Sequence, residues 1–324
     1  MQIPTHADVQ EARARIMPHI VRTPLLRHAL LDERTGGTIL VKAEPLQRTG
    51  SFKLRGATNA IRKLGEAARR AGVVTHSSGN HGQATACAAA AIGAQATVFM
   101  PADAPRIKVE STRRWGADIV HYDRHADDRD ALTRAHAERT GAILVPPFDH
   151  ADVIAGQGTL ALELVEDARA AGLTMDALLV CTGGGGLIAG CALGIEGVSP
   201  RTLLYAVEPE GWDDTARSLV SGARLANAPG GSTLCDALLS KMPGELTFAV
   251  NQPRLAGGLA VSDAEVFAAI AFAFSHLKLV VEPGGAVCLA ALLAGKFDAR
   301  GKVVGIVVSG GNVDAAVFGR ALAA

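Results

Sequence analysis

The apolar positions of this chain fall into short β-branched runs, each closed by a glycine or polar turn and followed by an alanine-rich stretch of helical period. Val73-Val74-Thr75 leads into Ser-Ser-Gly-Asn-His-Gly at 77–82 and a helix near Gln83–Ile92. Ala96–Met100 predicts a strand, and Pro105 opens a helix near Ile107–Trp115. The strand Asp118–Tyr122, a helix near Asp128–Arg139 and the strand Ala142–Val145 follow. A helix from about Gly158 to Ala171 precedes the strand Ala177–Cys181 and the four glycines 183–186. Leu203–Val207 and Lys302–Val308 are the remaining clear strands, and Val9, Ala12 and Ile16 mark the inner face of a first amphipathic helix. Strands alternating with helices imply parallel sheets covered on both faces. There are more strands than one doubly wound sheet usually needs. The pattern therefore predicts a small domain, 72–146, inserted into a larger one built from 1–71 and 147–324, with Pro146-Pro147 at the return crossing.

Composition narrows the function classes. The chain has 324 residues, 48% apolar and 20% charged, enough to bury a sizeable core. Lys+Arg and Asp+Glu both number 32, so the formal charge is zero and no nucleic-acid surface is expected. The start carries no signal-peptide pattern, and the apolar stretch Ala84–Met100 is broken by Gly93 and Gln95. A helix and a strand explain that stretch better than a membrane span. Cysteines 87, 181, 191, 235 and 288 are scattered without a CxxC, which suits buried thiols in a reducing compartment. A cytoplasmic location is expected.

Three segments carry candidate chemistry. Thr182-Gly183-Gly184-Gly185-Gly186-Leu187 follows a strand and opens a helix, presenting backbone N–H groups suited to a phosphate. The same glycines could serve only tight packing. The loop has neither the Walker ending nor the GxGxxG fingerprint, although Glu208 could play the acidic residue of a dinucleotide site. Thr75 to Gln83 sets two hydroxyls, an amide and an imidazole in a turn before a helix, either a small-anion site or a richly capped helix start. Lys53, in Gly50-Ser51-Phe52-Lys53-Leu54-Arg55-Gly56-Ala57, precedes an apolar helix. An isolated lysine of this kind is usually solvated, but one facing the sheet would be partly desolvated and able to form an imine.

Together these segments resemble the fold-type II enzymes of pyridoxal 5′-phosphate (PLP), in the serine/threonine dehydratase and serine racemase branch. The resemblance rests on 50–57, on Ser-Ser-Gly-Asn-His-Gly-Gln-Ala (77–84) and on Ile-Ala-Gly-Gln-Gly-Thr (154–159). It continues through Gly-Gly-Gly-Gly-Leu (183–187), Val-Glu-Pro (207–209) and Ser-Gly-Gly-Asn-Val-Asp (309–314), in the family's order over nearly the whole chain. It implies an α/β fold of two open twisted, mostly parallel sheets flanked by helices, with the small domain inserted in the large one.

The resemblance also implies roles. Lys53 would be the Schiff-base lysine, beside Phe52, with Gly183, Gly184, Gly185, Gly186 and Leu187 around the phosphate. Asn80 would bond the ring oxygen, Ser309 the ring nitrogen, and Glu282 would lie near the ring. Ser77, Ser78, Asn80 and His81 would hold the substrate carboxylate. Ser78 would stand opposite Lys53 as the second catalytic group, and Arg129 would close as a further carboxylate contact. In the racemase branch the spacing of Glu208, Trp212 (through its carbonyl) and Asp214 binds Mg²⁺ or Ca²⁺; a solvated acidic turn is the alternative. The implied reaction is α,β-elimination of a β-hydroxy amino acid, threonine or serine or a relative, to a 2-oxo acid and ammonia. A racemase using Lys53 and Ser78, or a dehydratase for 3-phenylserine or 3-hydroxyaspartate, are alternatives. A homodimer acting on a small amino acid is the expected assembly. Gly284-Gly285 after Glu282-Pro283, and the segment 231–248, depart from the family's usual wording and leave the β-substituent open.

Overall fold

The computed structural model of the protein describes residues 2–77, 79–124 and 126–324. Its strands are β1 (Leu25–Leu26), β2 (Thr38–Ala43), β3 (Val73–His76), β4 (Ala96–Pro101), β5 (Asp118–Tyr122), β6 (Ile143–Leu144), β7 (Ala177–Cys181), β8 (Leu203–Pro209), β9 (Leu255–Val261) and β10 (Val303–Val308). Six form one sheet in the order β1-β2-β10-β7-β8-β9, parallel except for β1. The other four form a parallel sheet in the order β5-β4-β3-β6. The two sheets have separate apolar cores.

Most elements fall where the periodicity puts them. Val9, Ala12 and Ile16 are fully buried on the helix His6–Ile16, which Thr5 and Asp8 close with a reciprocal capping box. Three strands escape the sequence pattern. β2 contains Lys42, whose fully buried ammonium lies 2.7 Å from Glu163, so a core position reads as polar. β9 reads as a turn because of Gly257 and Gly258. A Cβ at Gly258 would sit 2.5 Å from that of Ala216, so this glycine is there for close packing. β1 is only two residues long. The helix expected from about Gly158 begins at Ala151 instead. Gly156 and Gly158 are helix-interior residues: a Cβ at Gly156 would lie 2.7 Å from the Arg55 carbonyl, and one at Gly158 would strike the Gly190 carbonyl. No helix of the described residues is long and apolar enough to cross a membrane.

Candidate active site

In open parallel sheets ligands bind beyond the carboxyl ends of the strands. Here β2, β10 and β7 are adjacent and parallel, so the chain leaving each delivers one part of the site to the same place. Ser309 follows β10 directly, the glycines follow β7, and the segment after β2 ends in Lys53, the first residue of the helix Lys53–Leu64. All three border a cavity of about 790 Å³.

The glycine loop is held from behind by its carbonyls. Thr247 Oγ1 donates to the Gly184 carbonyl at 2.7 Å, and Asn251 Nδ2 donates to that of Gly185 at 3.3 Å. Among the described residues the N–H groups of Gly183, Gly184 and Gly185 have no acceptor in the protein. Gly185 has φ +88°, and a Cβ on Gly184 would run into the Phe148 ring. These glycines therefore satisfy packing and conformation together. The two readings of the loop are not exclusive.

Lys53 donates from Nζ to the Pro147 carbonyl at 2.7 Å, and Nζ lies 5.2 Å from the centre of the Phe52 ring. Burial pulls its pKa down to about 8, against smaller upward pulls from Cys181 and Glu282. Half-buried and hydrogen-bonded to a main-chain carbonyl, Lys53 is not an ordinary solvated lysine.

The facing wall comes from the four-stranded sheet. Beyond β3, Ser77 Oγ accepts from the Gly79 N–H at 2.9 Å and the helix Asn80–Ala90 begins at once. Asn80 donates from Nδ2 to Glu282 Oε1 at 2.5 Å and accepts from Asn312 Nδ2 at 2.8 Å. His81 Nε2 lies 3.0 Å from the Val145 carbonyl, to which it can only donate, so Nδ1, buried without a partner, is the acceptor. Burial, then the charge of Lys53, hold the His81 pKa down at about 3. His81 is thus a neutral hydrogen-bonding group and no proton donor. Arg129 opens the helix Arg129–Thr140 and lines the cavity, with no ion pair among the described residues. Beside it His76 Nε2 and Asp130 are paired at 2.9 Å. Ser78 lies outside the described residues.

The acidic pair at the end of β8 and the start of the next helix is no solvated turn. Glu208 and Asp214 are both fully buried. Glu208 accepts from the N–H groups of Thr215 at 3.0 Å and Ala216 at 2.9 Å, and Asp214 Oδ1 accepts from Asn227 at 2.6 Å. Asp214 Oδ2 is buried without a partner. Burial, then the neighbouring Asp214, push Glu208 up to about 8; burial pushes Asp214 up to about 6. Two buried carboxylates with spare lone pairs fit a hard cation. Trp212 borders the cavity, its indole N–H buried and unpartnered.

Arg55 is structural. It is fully buried, pairs with Glu44 and Glu163 at 2.8 Å each, and shares Glu163 with Lys42. This quartet fixes the start of the helix that carries Lys53. The sequence reading missed Lys108, Asp236, Asn312, Phe148 and the Pro147 carbonyl. Gly285 is explained by a Cβ that would meet the Gly310 carbonyl at 2.5 Å.

A reactive amine, free N–H groups at a helix start, an amide and a hydroxyl around one cavity suit an aromatic aldehyde that bears a phosphate. That makes this a carbonyl-cofactor enzyme on the fold-type II architecture. The chain belongs to the family described as "Pyridoxal-phosphate dependent enzyme", whose model matches residues 16–310, and its cofactor is PLP. It is 45% identical to an L-threo-3-hydroxyaspartate ammonia-lyase of Pseudomonas sp over 97% of each chain. It is 40% identical to a serine racemase of Schizosaccharomyces pombe, over 96% of this chain and 95% of that one. Among solved structures, maize serine racemase superposes with a TM-score of 0.92 at 35% identity, covering 99% of this chain and 98% of the other.

Proposed function

We propose that this protein is a hydroxy amino acid dehydratase whose preferred substrate is L-threo-3-hydroxyaspartate, released as a 2-oxo acid and ammonia. One observation carries the preference: Arg129, a guanidinium with no ion pair among the described residues, faces the same cavity as Lys53. A threonine methyl or a serine hydrogen gives it nothing to bind, whereas a β-carboxylate does. The Pseudomonas relative, named for this substrate, supports the reading.

Lys53 would carry PLP, with the N–H groups of Gly183 to Leu187 on the phosphate. Ser309 would take the ring nitrogen and Asn80 the ring oxygen, with Phe52 and Glu282 beside the ring. When bound, the cofactor supplies an electron-withdrawing ring conjugated to the substrate's α-carbon. Ser77, Ser78, Asn80 and His81 then hold the α-carboxylate, His81 through its backbone N–H at the helix start, since its imidazole Nε2–H is committed to Val145 and Nδ1 can only accept. Lys53 Nζ, freed by the substrate and poised near neutrality, takes the α-proton. Ser309 would offer the ring nitrogen a hydroxyl rather than a carboxylate, a partner that would not hold that nitrogen protonated. Arg129 orients the β-carbon by its carboxylate. We also read the chain as a cytoplasmic homodimer divided at 72 and 146, with Mg²⁺ or Ca²⁺ on Glu208, Asp214 and the Trp212 carbonyl.

The test is a 2-oxo-acid and ammonia assay over 3-hydroxyaspartate, threonine, serine and 3-phenylserine isomers. The highest kcat/KM is expected with L-threo-3-hydroxyaspartate. Arg129→Leu should lower that value about 100-fold or more while changing threonine turnover little, as for loss of one charge-assisted pair. A uniform loss over all substrates would move Arg129 out of β-substituent recognition. D-serine formed from L-serine faster than pyruvate would establish the racemase instead.

A further inference from the structure

Lys108 has no part in that chemistry, yet it is among the largest fully buried side chains of the protein. It sits in the helix Arg106–Arg114, on the four-stranded side. Its stem crosses Gly79 so closely that a Cβ there would strike the Lys108 side chain. The ammonium leaves that side altogether. Nζ lies 2.7 Å from Asp236 Oδ2 and 3.0 Å from Glu282 Oε2, both on the six-stranded side. Glu282 is also the acceptor for Asn80, which Asn312 holds from beyond. One buried cation thus ties the loop around Gly79 and Asn80 to the cofactor wall.

The charged and titratable groups facing Glu282 are Lys108, Asp236 from the turn Asp236–Leu238, Lys53 from its helix and Cys181 at the end of β7. Burial pushes the Glu282 carboxyl up and the Lys108 ammonium pulls it back. Those two carboxylates outweigh burial at Lys108 and keep it protonated. A buried ion stripped of its partner is strongly unfavourable, so each member constrains the others.

We propose that Lys108 is a positioning residue, a latch that fastens the substrate loop to the cofactor wall through Glu282 and Asp236 and so keeps Asn80 in register with Lys53. The proposal rests on Lys53 as the cofactor lysine. Its test uses the holoenzymes of Lys108→Met, Lys108→Arg and Asp236→Asn, read by hydrogen exchange at Gly79–Gln83, the pH profile of kcat/KM and the visible cofactor band. Lys108→Met should keep the band and speed exchange at Gly79–Gln83 about tenfold or more. It should lower kcat/KM about tenfold or more and move the acid limb up by about one pH unit, because Glu282 loses its counter-charge. Lys108→Arg should recover part of each effect. Asp236→Asn should also speed exchange but move the acid limb down, since an anion has left the surroundings of Glu282. If Lys108→Met does not fold, the Lys108→Met/Glu282→Gln pair leaves only the partly exposed Asp236 without its cation and no fully buried ion, and is read by exchange, while Asp236→Asn carries the pH arm. Wild-type exchange in every variant, or an acid limb that moves the same way in Lys108→Met and Asp236→Asn, overturns the latch. A wild-type protein with no borohydride-reducible band would overturn the cofactor reading instead.

Discussion

On the six-stranded side of the cavity the helix Gly186–Glu196 is buried throughout from Gly186 to Ile195, whereas the helix Arg129–Thr140 on the four-stranded side buries only Thr133. The first wall is backbone: cavity-lining glycines, two of whose carbonyls are tied back and whose N–H groups at 183–185 have no acceptor among the described residues, with the Arg55–Glu44–Glu163–Lys42 quartet at the start of the Lys53 helix. The second wall is side chains: Arg129, the His76–Asp130 pair, and Lys108 reaching across. A phosphate is common to every reaction of such a cofactor, so a rigid cradle can hold it. A substrate must enter and leave, and its β-substituent varies. Groups on a thinly buried helix can move and be exchanged without disturbing a core.

If that contrast is right, damage to the first wall should abolish all reactions, and damage to the second should select among them. Lys53→Ala is the largest expected effect. The borohydride-reducible visible band should vanish, and elimination should fall below detection for every substrate, a loss of about 10⁴-fold or more. A reducible band surviving in Lys53→Ala would falsify the assignment. Gly184→Ala comes next. Its Cβ would run into the Phe148 ring, so either the loop or the ring must shift. Cofactor dissociation, followed by absorbance during dialysis, should quicken about tenfold to 100-fold with equal consequences for all substrates. A substrate-selective loss would blur the distinction between the walls.

The same contrast governs what could be read from the sequence. That Lys53 and the glycines belong to one wall was legible because the demands are local: a strand, a glycine run with a helix behind it, a lysine at a helix start. Gly183 to Gly186 and Ser309 follow the adjacent strands β7 and β10, and Lys53 opens the α-helix that follows their neighbour β2. The latch was not legible. Lys108 is separated from Asp236 by 128 positions, and a lone lysine on a polar helix carries no mark of burial. β2 and β9 were passed over for a related reason. A buried lysine and a close-packed glycine, Gly258, mimic a solvated turn until their partners, Glu163 and Ala216, are known. The same tertiary dependence makes Arg55, two residues beyond Lys53, a structural ion.

A smaller effect separates the resting lysine from its surroundings. In the cofactor-free protein Lys53 has its pKa lowered to about 8, from an unfolded value of 10.5. Between those values the unfolded chain binds a proton that the folded one does not, so stability rises with pH through that window. Below about pH 8 both states are protonated and the full cost of burying the charge is felt. The comparison to make is wild type against Lys53→Met, both without cofactor. The mutant's advantage in melting free energy should shrink by about 1–3 kcal/mol from pH 7 to pH 10. A constant difference would mean that the lysine is solvated, contrary to the closed character of this wall.

The smallest expected effect asks whether the cofactor wall is rigid on its own or braced from behind. Glu208 is the last residue but one of β8, the neighbour of β7, and Asp214 opens the following helix, so an ion between them would tie that turn to the strand beside the glycine loop. Neither residue touches the cavity, so the ion would act on stability and only indirectly on turnover. Asp214 Oδ2, buried and unpartnered, is the oxygen that an ion would satisfy. At ten- to thirtyfold excess over its Kd a bound ion contributes about 1–2 kcal/mol. Chelation should therefore lower the melting temperature by a few degrees and turnover by less than about tenfold, and Mg²⁺ or Ca²⁺ should restore both. Asp214→Asn should abolish the response to chelator and ion together. If the wild type melts at the same temperature with and without chelator, the turn needs no brace. The rigidity of the cofactor wall would then come from the tied-back carbonyls and the Arg55 quartet alone.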